Sequence, residues 1–265
     1  MVKKKKVRKG NRNAPKRRSL AAPALKAKAA AEKKRIISTL KEKLEGIYAS
    51  VDLSTVCCRQ CVCCNVACPQ MNYSEFLNVL DKIYKSVTHA EKVRILKLCV
   101  RYYLSNSLVK PCPLLIGKEC IAYAERPLSC RMYGLWPSEM YERRVERFSK
   151  VSEMDKKEIP LNTQCSHVRR ANTDVPLTEE EIEDLFIQLD ILDGIIGDFT
   201  PEAIKKKHNY RTFHDWFMVK VFGEQRLSDL SNYFLAVEEE KDLEDFVDQM
   251  CIQIDKVGEK FFVEE

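Results

Sequence analysis

Six cysteines fall within twelve residues, Cys57-Cys58-Arg59-Gln60-Cys61-Val62-Cys63-Cys64-Asn65-Val66-Ala67-Cys68, and no other stretch constrains the chain as strongly. Ala or Val could supply a small buried apolar group at those positions. Thiols at this density are explained by bonding, to each other or to a metal. Cys112, Cys120 and Cys130 follow in turn-rich sequence, and Cys165 has His167 two residues on. The other two of the twelve cysteines sit differently. Cys99 shares an apolar helical face with Val93, Leu96, Val100 and Tyr103, and Cys251 lies beside Val247, Met250 and Ile254, which marks both as core residues.

Whether such thiols form disulfides or hold metal depends on the redox compartment. The chain starts Met1-Val2-Lys3-Lys4-Lys5-Lys6, and its only weakly apolar early patch, residues 20–25, is too short and alanine-rich for a secretory signal. No uninterrupted apolar run approaches membrane-spanning length. The expectation is a cytoplasmic protein with no membrane association, whose thiols stay reduced and open to metals.

Charge divides the chain into three parts. Residues 1–35 carry 15 Lys and Arg against one acid, residues 36–175 carry 21 against 15, and residues 176–265 carry 9 against 23, so a net +14 end and a net −14 end flank a mildly basic middle. The first part has almost no large apolar side chains before Ile36 and reads as a basic disordered tail. Such a tail suits nucleic acid or a ribosomal surface, held by salt-sensitive phosphate contacts; it equally suits the chain's own acidic end. Residues 36–175 read as a cysteine-cluster metal-binding domain, and 176–265 as an acidic helical region packed on it.

Apolar residues recur at helical spacing through most of the chain. Ile36, Ile37, Leu40, Leu44 and Ile47 predict a helix to about residue 49, and Phe76, Leu77, Leu80, Ile83 and Tyr84 predict another over 72–87. Thr88-x-x-Glu91 and Thr178-x-x-Glu181 are capping boxes, opening helices over about 88–104 and 179–196. Further helices are expected over about 138–150, 201–222 (from Thr200-Pro201), 225–237 and 240–257. Pro111, Pro113, Gly117, Pro127, Gly134 and Pro137 exclude long helices from 105–137, and no strand pattern exceeds about four residues. The expected fold is mainly α, with helices bracing an irregular cysteine-rich metal-binding core.

Cys58-x-x-Cys61 and Cys61-x-x-Cys64 both have the spacing of a metal-binding turn. Adjacent Cys63 and Cys64 are poorly placed to share one ion, because neighbouring side chains diverge. Ten clustered cysteines also exceed one four-ligand site, which favours two metal sites or a polynuclear iron–sulfur cluster over a single zinc. At this point the chain resembles the YkgJ-type cysteine-cluster proteins, the CxxCxxCC zinc- or iron-chelating family. The resemblance spans about residues 55–170. It rests on the cysteine run and on Cys112-Pro113-Leu114-Leu115, Gly117-Lys118-Glu119-Cys120, Ile121-Ala122-Tyr123 and Arg126-Pro127-x-x-Cys130-Arg131-x-Tyr133-Gly134. It implies metal ligation by Cys58, Cys61, Cys63 or Cys64, Cys112, Cys120 and Cys130. The chain has one residue rather than two before the vicinal pair, so either Cys63 or Cys64 is the third ligand. Cys165, outside the matched part, is taken as a further candidate, and Cys68 is left out.

Arg126, Arg131, Arg169 and Arg170 lie near cysteines and can balance thiolate charge, while Tyr123 and Tyr133 are packing residues or donors. His167 is a weaker candidate ligand. No Walker loop, dinucleotide-binding glycine pattern or nucleophile elbow is present. The leading expectation is a metal-binding protein holding an iron–sulfur cluster or zinc, with a redox or enzymatic role open to it. Two alternatives are a zinc-stabilised module using the basic tail on RNA or DNA, and an enzyme resembling the S-adenosylmethionine-dependent flagellin lysine N-methylases, which carry a similar cysteine cluster.

Overall fold

Two hydrophobic cores organise the computed structural model, which describes residues 35, 38–50, 53–54, 62–66, 68–105, 110–152, 169–170, 175–196, 210–236 and 240–261. The basic tail up to residue 34, Cys57, Cys58, Cys61, Cys165, His167 and the expected helix start at Thr200-Pro201 lie outside those residues. Helices account for 73% of the described residues, so the chain is mainly α as its periodicity required. Among the described residues, no helix is long and apolar enough to cross a membrane.

In chain order the helices are α1 (residues 38–49), α2 (Val62–Val66), α3 (Tyr73–Ser86), α4 (His89–Tyr103), α5 (Leu128–Arg131), α6 (Ser138–Ser152) and α7 (Glu179–Ile195), followed by α8 (Phe213–Phe222), α9 (Glu224–Ala236) and α10 (Glu240–Phe261). Strands are two residues long: β1 (Leu53–Ser54), β2 (Gln70–Met71), β3 (Leu115–Ile116), β4 (Glu119–Cys120), β5 (Arg169–Arg170) and β6 (Arg211–Thr212), paired antiparallel as β1 with β5, β2 with β6 and β3 with β4. They act as clips between loops rather than as a sheet.

Both capping boxes read in the sequence are formed, Thr88 accepting from Glu91 N and Thr178 from Glu181 N. A third was not read. Thr212 accepts from Asp215 N and opens α8, and β6 already pairs Arg211 and Thr212 with Met71 and Gln70, so the helix expected over 201–222 starts only at Phe213. Backbone bonds committed to β2 cannot also continue a helix through Thr212, so the described part of that expected span is helical from Phe213 on; its residues 201–209 lie outside the described residues.

The larger core packs α3, α4, α8 and α10 around Phe76, Phe213, Trp216 and Phe217, with Phe76 and Phe213 ring centroids 5.8 Å apart. Cys99 and Cys251 are buried there. The second core joins Leu40, Leu44 and Ile47 of α1, Leu128 and Met132 at α5, and Ile182, Leu185 and Leu189 of α7. The head of α3 lies between the two cores and is pinned by two buried carboxylates. Asp193 of α7 accepts from Ser74 N at 2.7 Å and Tyr73 N at 3.1 Å, answering amides that the first turn of a helix leaves unpaired. Glu75 accepts from Tyr48 Oη at 2.9 Å, Leu128 N at 2.6 Å and Asn72 N at 3.2 Å, tying α1 and α5 to α3.

Burial lifts the Glu75 carboxyl from the usual 4.5 to about 7 despite these three donors, and lifts Asp193 in the same direction. Between pH 4.5 and 7 the folded state therefore keeps a proton on Glu75 that the unfolded chain has lost, so this group's contribution to stability falls as pH rises through that window. Buried His214 works oppositely: burial lowers it to about 4, so its contribution rises with pH up to its unfolded value. Comparison with Glu75→Gln cancels the histidine. From pH 5 to pH 7.5 the wild type should lose on the order of 2 kcal/mol relative to Glu75→Gln in urea unfolding. A difference constant across that range would show that Glu75 does not titrate there.

Candidate metal centre

Six thiols from three separate stretches of chain line one cavity of about 450 Å³: Cys63, Cys64, Cys68, Cys112, Cys120 and Cys130. Each stretch has a local reason for its shape. The short helix α2 carries Cys63 and Cys64, and the chain straightens through Cys68 into β2. Cys112 is drawn to α2 by its backbone, its N–H donating to Cys64 O at 2.7 Å. Leu115 and Ile116 turn back on Glu119 and Cys120 across Gly117-Lys118. Gly117 has φ of 61°, a conformation a side chain would strain, so this glycine sets the turn that brings Cys120 to the cavity.

Cys130 arrives on α5, where Pro127 fixes the N-cap and its carbonyl accepts from Cys130 N at 2.9 Å. That turn is held from two sides. Glu75 takes Leu128 N, and Ser129 Oγ donates to Gln70 O at 2.6 Å, which joins α5 to the strand that follows Cys68.

The sulfurs fall into close pairs. Cys63 Sγ and Cys64 Sγ are 3.9 Å apart, and Cys68 is hydrogen-bonded to Cys112. In the first pair the hydrogen bond between the two thiols lowers Cys63 from the usual 9 to about 7, with nearby Arg126 acting in the same direction, and that bond together with burial pushes Cys64 far up. Cys112 is pushed up by its bond to Cys68 and by burial. Burial and the neighbouring Cys112, Cys63 and Cys120 push Cys130 up. A cation bound beside these thiols would reverse the effect.

In number and softness the six thiols suit a thiolate-bound metal. In position they are grouped in pairs: among the described residues, no three His, Cys, Asp or Glu side chains are placed to hold one ion. Cys58, Cys61 and Cys165 lie outside the described residues, so the structure places five of the eight expected ligands, Cys63, Cys64, Cys112, Cys120 and Cys130, and brings all five to the cavity. Sequence reasoning missed Cys68. No local spacing marks it as a ligand, and only the fold brings it to the cavity.

Of the candidate arginines, Arg126 lines the cavity and lies over the Tyr123 ring at 4.2 Å. Arg131 instead donates to the carbonyls of Arg126 and Ala124 at 2.9 and 2.6 Å and covers the Tyr48 ring at 4.1 Å, bracing the loop before α5. Tyr133 lines the cavity. A second cavity of about 640 Å³ beside α8 and α9 includes Tyr103, Arg211, Asp215 and Glu224; it has no thiol, and Asp215 is already engaged in capping α8.

The chain matches no protein-family model, no curated protein and no solved structure. The likeness of its cysteine segments to the YkgJ-type cluster therefore stands on the quoted residues alone.

With Cys63 near neutrality and Cys99 and Cys112 pushed well up, the metal-free protein should alkylate selectively. Brief iodoacetamide treatment at pH 7, followed by peptide mass spectrometry, should label Cys63 before Cys99 or Cys112. Labelling of Cys99 at the rate of Cys63 would contradict these environments.

Proposed function

We propose that this is a cytoplasmic metal-binding protein whose clustered cysteines hold an iron–sulfur cluster or zinc. The observation that carries this reading is the convergence of six sulfurs from α2, the 110–120 loop and α5 on a single cavity. Separate turns delivering thiols to one place is the usual arrangement of thiolate centres, and a hydrophobic core has no use for it. Cys63, Cys64, Cys68, Cys112, Cys120 and Cys130 are the ligands available among the described residues, with Cys58, Cys61 and Cys165 completing the sequence set. A metal there would supply positive charge that offsets thiolate repulsion. Arg126 would share that task at the cavity wall, and the buried Glu75 would hold α5 and its Cys130 in place.

Protein purified without oxygen should contain stoichiometric metal, and its absorption spectrum distinguishes the two forms. Broad absorption near 400 nm is expected for iron–sulfur, and zinc is colourless. Cys64→Ala and Cys130→Ala should each lose at least about half of the bound metal, whereas Cys99→Ala and Cys251→Ala, altered in the apolar core, should keep theirs. Equal loss from both sets, or metal-free wild-type protein with all thiols reduced, would refute the proposal.

The charge asymmetry favours a second role beside the first, in which the tail binds RNA or DNA. Deleting residues 1–35 should weaken binding to a generic RNA and flatten its salt dependence while leaving metal content unchanged. An unchanged salt slope would end this reading.

A further inference from the structure

The cavity is larger than its sulfurs need, and its other half has a different chemistry. At about 450 Å³ it falls in the range of small-molecule sites. Facing the thiols are Tyr133, Trp136 and Tyr141, with Tyr141 stacked edge-on to Tyr133 at 6.5 Å and tilted against Trp136 at 5.9 Å. Tyr141 is set in place by Gly134 N, which donates to its hydroxyl at 3.0 Å. Arg143, Arg144 and Arg147 of α6 also line the cavity, and all three are exposed, so they form its mouth while the more buried thiols form its floor. Glu179 pairs with Arg143 at 2.7 and 2.8 Å. Among the described residues no carboxylate pairs with Arg144 or Arg147, and Arg144 stands over the Trp136 ring at 5.8 Å. Trp136 Nε1 is buried with no hydrogen-bond partner among the described residues, leaving a spare donor in the wall.

We propose that this half of the cavity binds a small organic anion that joins a flat unsaturated ring, directly or through a short linker, to a phosphate or carboxylate. The ring lies against Trp136 and Tyr141, and the anionic group sits at the mouth between Arg144 and Arg147. An aromatic wall recognises a flat π face, and guanidiniums recognise an anionic oxygen fork. This inference goes beyond metal binding and shares its cavity without requiring the metal.

Only two tryptophans are present, and Trp216 is buried in the larger core with its indole N–H donated to Met71 O at 2.9 Å. Trp216→Phe therefore leaves Trp136 as the sole indole reporter in the cavity wall. Titration with adenosine monophosphate, with nicotinate as the carboxylate probe, should quench that emission saturably. Adenosine and inorganic phosphate, each lacking one half of the recognised group, should bind at least about tenfold more weakly, and so should the phosphate probe to Arg144→Gln/Arg147→Gln. Calorimetry on the wild-type chain repeats the test should Trp216→Phe fold poorly. No saturable binding of either probe, or affinity unmoved by the double arginine change, would overturn the proposal. Metal is measured on the same samples before and after chelation. Binding that survives in metal-free protein supports the anion site even if the metal reading fails, and metal-loaded protein that ignores both probes refutes the anion site alone.

Discussion

The fold turns on Glu75, a carboxylate with no exposed surface that answers three donors from three parts of the chain. Placing an ionisable group there costs several kcal/mol of lost hydration unless its oxygens are fully hydrogen-bonded. Tyr48, Leu128 and Asn72 meet that condition, and in doing so fix α1, α5 and the start of α3 relative to each other. Asp193 of α7 does the same at the neighbouring positions, accepting from Tyr73 N and Ser74 N at the head of α3. Removing either carboxylate would leave backbone amides buried without partners, a mechanism that destabilises more than the loss of one hydrogen bond.

The cysteine cavity inherits its geometry from that junction. Cys130 sits two residues after Leu128, whose amide Glu75 holds, and Ser129 between them is bonded to Gln70 beside the Cys68 segment. Cys112 is fixed through its own backbone bond to Cys64. Thus the sulfurs are positioned by main-chain contacts and buried polar groups rather than by the thiols themselves.

The two walls of the cavity have opposite electrostatic character. On the floor, hydrogen bonding and burial push Cys64 and Cys112 up and burial pushes Cys130 up, while the hydrogen bond to Cys64 lowers Cys63. At the mouth, Arg144 and Arg147 hold positive charge over an aromatic surface.

Helix positions and the cysteine segments were legible in the sequence because their signals are local. Apolar period, Thr-x-x-Glu caps and proline placement act over a few residues, so α3, α4 and α7 stand within a residue or two of their expected ends. Where α8 begins was decided elsewhere, by the pairing of Arg211 and Thr212 with Gln70 and Met71, a contact spanning about 140 residues that no local pattern encodes. The same holds for the site. The sequence determined that thiols are abundant and where along the chain they lie, and it set the Gly117 turn that presents Cys120. Tertiary structure alone decided that Cys68 joins them, that Arg131 braces a loop while Arg126 faces the cavity, and that α6 brings arginines and aromatic rings opposite the sulfurs. Those outcomes depend on which groups meet when the two cores close around Glu75 and Asp193, and the burial that selects them exists only in the folded chain.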